Sequence, residues 1–424
     1  MRLLFISNLY PPHDIGGFEQ WCEEAAVLLV ARGHTVQVLT SNYRSDRAPQ
    51  GTVPHAAPAS PQVSRVPQVS RVLHLEADIQ YYRPLDFFSQ RPRRNRQNLE
   101  ALRRAITALQ PEVIMFWGMW NLSVTVAREA ERLLPGKVIY FIASYWPLDK
   151  DLHRQYWEGA ERKWIARLLK AIPAQLALAR LEREGYPPPL EFASVQCCSR
   201  FVRDRLAGAG RIPEHAGVLY GGIEEMPFAD SEPWAGRREN LQMLYFGSLF
   251  AHKGVHTAVE ALGILRRAGQ LGDTRLTILG GGHDAYEGEL RKLVREHALG
   301  EVVQFVPRIP RSEIPAFLKN YDVFLFTSIW DEPMARTVME AMAAGMLVIG
   351  SEVGGQMEMF EHGVNSLTFP AGHAAALALH ILEIQDNPQQ RVQLALAGQQ
   401  LVRRHFTLDR VIDEMEGWLQ GIAE

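Results

Sequence analysis

Asp322-Val-Phe-Leu-Phe-Thr-Ser-Ile-Trp-Asp-Glu332-Pro-Met-Ala-Arg-Thr-Val-Met-Glu340-Ala-Met-Ala-Ala-Gly345-Met-Leu-Val-Ile-Gly350 holds an apolar run, a short loop, a helical run and a second apolar run. Proline suits the first turn of a helix and glycine the residue just past its end, so the spacing predicts a helix from close to Pro333 to just before Gly345. A strand, a helix and a strand joined this tightly make a βαβ unit, the building block of a parallel sheet.

Outward from this unit the same alternation recurs. Short apolar runs bounded by turn residues predict strands at 3–7, 35–40, 113–117, 138–142, 194–198 and 217–220, then at 241–246, 275–279, 302–306, 322–327, 347–350 and 366–369, with helical periodicity between most of them. A Pro/Ala/Ser-rich segment from Arg47 to Pro67 breaks the pattern and reads as a loop; the hexapeptide Pro-Gln-Val-Ser-Arg-Val occurs twice, from Pro61 and from Pro67. Pro227, Pro233 and Gly236 punctuate a charged connection, so the expected domains are 1–225 and 226–400, with 401–424 a helical segment. A chain of 424 residues suits two domains.

Composition narrows the class. The apolar fraction of 47% and charged fraction of 22% are those of a globular protein, and a formal net charge of -3 gives no sign of a nucleic-acid partner. Polar Ser7 and Asn8 cut the first apolar run short of a signal-peptide core, and no run approaches the roughly 20 residues that span a bilayer. Cys22, Cys197 and Cys198 offer neither a disulfide framework nor metal-ligand spacing, and the expected location is cytoplasmic. Arg91, Arg93, Arg94, Arg96, Arg103 and Arg104 form a basic segment that reads as a solvated face or as peripheral contact with the inner membrane surface, beside a lipid-linked acceptor.

Glu332 and Glu340 carry the chemistry. A helix that starts at the carboxyl end of a strand offers free N–H groups to an anion such as phosphate, and open α/β sheets bind ligands at that end. Two carboxylates eight positions apart there, about two turns of helix, reach both ends of an elongated ligand rich in hydroxyls. The plainer reading pairs Arg336 with Glu340 as an exposed i,i+4 ion pair and leaves Glu332 to favour the helix dipole.

Two glutamates separated by seven residues, Glu332-Pro-Met-Ala-Arg-Thr-Val-Met-Glu340 followed by Ala-Met-Ala-Ala-Gly345, resemble the signature of glycosyltransferase family 4, retaining enzymes of the GT-B fold that use nucleotide sugars. Tyr10-Pro11-Pro12-His13 leading to Gly16-Gly17-Phe18-Glu19 looks like the family's N-terminal glycine loop. Gly247-Ser248-Leu249 to Lys253-Gly254 looks like its phosphate loop, and Gly354-Gly355 with Glu358 like its late glycine segment. The resemblance spans nearly the whole chain. It implies two facing Rossmann-like α/β domains with mainly parallel sheets, the C-terminal helix crossing back to the first. The donor, a UDP- or GDP-sugar, falls to the second domain and a hydroxyl acceptor to the first, in polysaccharide, glycolipid or glycoconjugate synthesis.

The resemblance assigns the donor sugar to Glu332, the ribose to Glu340, the diphosphate to Lys253 and to N–H groups near Met334, Ala335, Arg336 and Thr337, and the base to backbone around Val306 to Arg308. Gly16, Gly17, Gly247 and Ser248 complete the expected donor set. Lys253 and the helix N-terminus together supply the charge that a divalent metal would, so neither metal nor cofactor is expected.

Several positions depart from the family pattern. Ser248 stands where arginine is common, Trp117 where a histidine often follows the strand, and Ala143-Ser144-Tyr145-Trp146 where His-Asp is frequent. His13, Trp117, Tyr145 and Trp146 are the candidate acceptor contacts, and core packing is the alternative for the aromatics. Asp149-Lys150-Asp151 fits a metal-binding Asp-x-Asp pattern but reads as a solvated loop. An epimerase or phosphorylase of the same architecture, or a non-catalytic nucleotide-sugar-binding protein, shares the donor half.

Overall fold

A computed structural model describes residues 1–13, 16–44, 66–79, 81–161, 163–233 and 241–424. They form two units, one of Met1–Cys198, Val202–Leu219 and Ile412–Glu424, the other of Ser199–Phe201 and Tyr220–Val411.

The first unit is built on β1 (Arg2–Ser7), β2 (Thr35–Ser41), β3 (Gln68–Leu73), β4 (Val113–Gly118), β5 (Val138–Ile142), β6 (Ser194–Cys197) and β7 (Gly217–Val218). All neighbours are parallel, in the order β3-β2-β1-β4-β5-β6-β7. Leu3, Leu4, Phe5 and Ile6 are all buried, as in a strand covered on both faces, which is why β1 reads as an unbroken apolar run. The second copy of the repeated hexapeptide, expected in a loop, is instead β3, at the sheet edge; the first copy, except Val66, lies outside the described residues. An edge strand can follow a proline and leave Val69 and Val72 exposed, so its pattern is weak in sequence.

The second unit holds β8 (Gln242–Leu249), β9 (Arg275–Gly282), β10 (Val303–Val306), β11 (Val323–Phe326), β12 (Leu347–Ser351) and β13 (Leu367–Phe369), also parallel, in the order β10-β9-β8-β11-β12-β13. Met243, Ile278, Leu325 and Ile349 of the sheet share one core with Leu262 and Ile381 of the covering helices. The chain leaves β8 on one side and returns at β11 on the other, which makes the gap between their carboxyl ends a switch point.

The final helix, Leu408–Ala423, belongs to the first unit from Ile412 onward. Arg32 donates to Asp413 at 2.5 Å and to Glu416 at 3.0 Å, Trp418 Nε1 donates to Ser194 Oγ at 2.8 Å, and Lys137 Nζ donates to the carbonyl of Ile422 at 2.6 Å. Among the described residues no helix is long and apolar enough to cross a membrane.

Candidate functional site

Residues far apart in sequence meet at the switch point of the second sheet. Past β8 the chain makes a 3-10 turn, Ala251–Lys253, and reaches Gly254 at φ +64°. A Cβ there would stand 2.0 Å from the Thr327 carbonyl oxygen, so glycine lets this turn lie directly on the loop after β11. Thr327 Oγ1 donates to the Lys253 carbonyl at 2.9 Å, and the Ile329 N–H donates to the His252 carbonyl at 2.9 Å. Held this way, Lys253 Nζ lies 2.5 Å from Glu332 Oε1, which also accepts from Ser328 Oγ at 2.9 Å. Glu332 Oε2 has no hydrogen-bond partner among the described residues.

The backbone of the glutamate loop rests on the late glycines. Gly354 sits at φ +54°, where a Cβ would come within 2.2 Å of the Glu332 carbonyl oxygen, and a Cβ on Gly355 would come within 2.1 Å of the Pro333 carbonyl oxygen. The Gly355 N–H donates to the Glu332 carbonyl at 2.8 Å. Residues 332–333 are thereby held out of the helix, which runs Arg336–Ala343 rather than from Pro333; Gly345, at φ +79°, does follow its end. Glu340 is accordingly the fifth helical residue, little more than one turn in.

Glu340 is buried, and its Oε1 accepts from Arg336 Nε and from an Arg311 guanidinium nitrogen, both at 3.0 Å. The i,i+4 pair expected on a solvated face therefore exists but is buried, with a third member. The Ala335 N–H, expected to be open to a diphosphate, instead donates to Gln356 Oε1 at 2.8 Å. The Thr337 N–H has no partner among the described residues. Burial raises the Tyr245 hydroxyl pKa, and that hydroxyl donates to the Ser248 carbonyl at 2.8 Å; burial, with Lys253 next to it, lowers the His252 pKa. Arg308, exposed, donates to the Gly281 carbonyl at 2.9 Å, and Val306 ends β10.

The remaining candidates lie in the first unit. Gly16, at φ -160°, precedes the helix Gly17–Ala31, and its N–H donates to Glu19 Oε2 at 3.1 Å. His13 bridges back to Tyr10. Trp117 is 2% exposed and packs at 5.0–5.8 Å between ring centroids against Phe5, Phe18 and Phe141. It is a core residue rather than an acceptor platform, because β4 is covered on both faces. Tyr145 lies under the Arg205 guanidinium at 4.9 Å, and Trp146 packs on Phe192 at 5.8 Å. Asp151 of the Asp-x-Asp pattern caps a helix by accepting from the Arg154 N–H at 2.9 Å.

Sequence reasoning missed Arg311, Gln356 and Ser328. Arg311 opens the 3-10 turn Arg311–Glu313 that follows the carboxyl end of β10, a position that signals ligand proximity in a parallel sheet. Gln356 gave only its place beside the late glycines. Glu358, grouped with those glycines, accepts from the N–H groups of Arg200 and Phe201 at 3.1 and 2.8 Å and from the Tyr220 hydroxyl at 2.8 Å.

The family model described as glycosyl transferases group 1 matches residues 229–401. Glycogen synthase of Mycobacterium tuberculosis is 27% identical over 419 residues, spanning 96% of this chain and 91% of that one. The amylovoran biosynthesis glycosyltransferase AmsK of Erwinia amylovora is 31% identical over 230 residues, 53% of this chain and 55% of its own. Among solved structures, Anabaena HepE in complex with UDP and glucose matches at a TM-score of 0.69 and 18% identity over 99% of both chains. Sucrose-phosphate synthase of Thermosynechococcus elongatus matches at 0.70 and 19% identity, covering 99% of this chain and 98% of that one. Both structural likenesses bear on the fold, which is the one these proteins share.

Proposed function

We infer, for a chain whose residues 229–401 match the glycosyl transferases group 1 family model, that it transfers a sugar from a nucleotide diphosphate to an acceptor hydroxyl with retention and without a metal ion. The observation that carries this reading is the pair of buried glutamates at the switch point, each already matched by a cation.

Lys253, Arg311 and Arg336 stand beside Glu332 and Glu340, a cluster of cations that a diphosphate entering the switch point would meet. Cations in a partly buried site stabilise the charge that develops on a departing phosphate, the role a divalent ion otherwise fills. Glu332 Oε2 is available to a sugar hydroxyl and Glu340 to the ribose. In the transfer the anomeric carbon's bond to the diphosphate oxygen breaks and its bond to the acceptor oxygen forms on the same face. The acceptor proton passes to the departing phosphate oxygen, so no side-chain base is required. The names of glycogen synthase and AmsK favour a sugar-bearing acceptor in polymer synthesis, and both UDP- and GDP-sugars are donors to be tested.

A thermal-shift screen of nucleoside diphosphates and nucleotide sugars, with EDTA present, tests the donor site. A ligand at a hundred times its Kd adds about 2.7 kcal/mol of stability, which reads as a rise of several degrees in Tm. Glu340→Ala should abolish that rise. If no nucleotide stabilises the wild type, the donor assignment fails; if stabilisation disappears with EDTA, metal independence fails.

A further inference from the structure

The helix Trp164–Arg183 is oriented contrary to its own composition. Its second half docks through Ala177 and Leu181 on a cluster with Phe87, Trp157 and Tyr186. Its opposite face carries Trp164, Ile165, Leu168, Leu169, Ile172 and Leu176, each 55% or more exposed. At 3.6 residues per turn these six fall within an arc of about 140°, so they form one continuous apolar face rather than scattered surface residues. A surface helix in water normally places charges on that side, and apolar patches of this kind mark contact sites.

The charge around the face identifies what covers it. From Arg162 to Leu181 the sequence holds five basic residues and no acidic one. Lys163 and Arg167 have no ion-pair partner among the described residues, and Lys170 is tied to Glu161 at 3.1 Å. An apolar face with a tryptophan at its end and cations alongside is complementary to an anionic bilayer surface, with the apolar side chains among the acyl chains and the cations at the headgroups. The basic segment Arg91 to Arg104 has four of its six arginines in ion pairs. Arg91 is buried against Glu184, Arg94 pairs with Asp86, Arg103 with Glu129 and Arg104 with Glu100.

We propose that the N-terminal half of helix Trp164–Arg183 is a docking surface that lies in the headgroup plane of an anionic membrane, held by its apolar face and by Lys163 and Arg167. The helix rests on the bilayer and does not cross it. This surface belongs to the first unit and is independent of the donor-site reading, since vesicle binding needs no nucleotide.

Flotation of the full chain with vesicles of phosphatidylcholine alone, or with 30 mol% phosphatidylglycerol, tests it. Wild type should float with the anionic vesicles and far less with the neutral ones. Leu168→Glu/Leu169→Glu should lose at least tenfold in vesicle affinity with an unchanged Tm. Each surface cation is worth about fivefold in affinity for an anionic membrane, so Lys163→Gln/Arg167→Gln should lose about 25-fold on anionic vesicles. Equal binding by wild type and both variants overturns the proposal, as does failure of wild type to float. Sedimentation showing a wild-type dimer that Leu168→Glu/Leu169→Glu converts to monomer, without vesicle binding, assigns the face to a second copy and also overturns it.

Discussion

Gly354→Ala tests how the glutamate loop is held. The residue sits at φ +54°, and the new Cβ would stand 2.2 Å from the Glu332 carbonyl oxygen and 2.6 Å from its nitrogen, where ordinary contact begins near 3.4 Å. Two effects follow and can be separated. The left-handed backbone costs an alanine about 1–2 kcal/mol of stability. The clash, which flexible side chains cannot relieve because both atoms are backbone, displaces the Glu332 loop by about 1 Å, and a shift of that size at a reacting group costs on the order of a hundredfold. Gly363→Ala is the control, at φ +73° with nothing within 4 Å of the new Cβ. Thermal unfolding should show a similar loss of a few degrees for both variants. Titration calorimetry with the nucleotide sugar should show a loss of ten- to a hundredfold in affinity for Gly354→Ala, smaller for the bare nucleoside diphosphate, and none for Gly363→Ala. The steric reasoning is refuted if Gly354→Ala binds the nucleotide sugar within about threefold of wild type, or if Gly363→Ala loses as much.

Lys253→Met leaves the buried Glu332 carboxylate without its cation at 2.5 Å and should cost about 2–4 kcal/mol in urea unfolding, less than a fully buried pair because the lysine is partly exposed. Adding Glu332→Gln should restore part of that loss, and identical stability of the single and double variants would rule out coupling. Glu358→Ala removes the acceptor of three hydrogen bonds and should cost about 2–3 kcal/mol, with nucleotide affinity unchanged where the protein is folded; an affinity loss without destabilisation would place it in the donor site instead. Glu129 hydrogen-bonds Arg132, which outweighs burial and with Arg103 lowers its pKa from 4.5 to about 2. Its contribution is therefore complete above pH 4.5 and lost as the pH falls towards 2; with both arginines more than half exposed it is worth under about 1 kcal/mol. Glu129→Gln should lower Tm slightly at pH 6 and not at pH 2, and an equal effect at both pH values would contradict the ion-pair origin.

The strands that decide the architecture were legible because parallel strands covered on both faces read as unbroken apolar runs, as in Leu3–Ile6 and Val323–Phe326. β3 was hidden for the converse reason: an edge strand with exposed valines looks like the Pro/Ser-rich segment that precedes it. At the site, Lys253 and Glu332 could be named from sequence, but their contact arises from sheet order, which seats β8 beside β11. The helix start was misplaced because proline at a first turn is a local preference. Gly354 and Gly355, about 20 residues later, claim residues 332–333 through contacts that no local rule contains.

The fate of the Arg336–Glu340 pair carries the same lesson into energetics. Local spacing correctly gives an i,i+4 contact, here 3.0 Å, yet spacing cannot say whether the pair faces water. On a solvated face it would contribute a few tenths of a kcal/mol and need no further explanation. Buried, each charge carries a desolvation penalty of several kcal/mol, which a well-packed apolar trio would avoid. Stability is therefore a poor reason for Arg311, Arg336 and Glu340 to stand together. An arrangement that keeps a carboxylate buried with two arginines beside it is better explained by a ligand that brings both hydroxyls and negative charge. A nucleotide diphosphate joined to a sugar brings both.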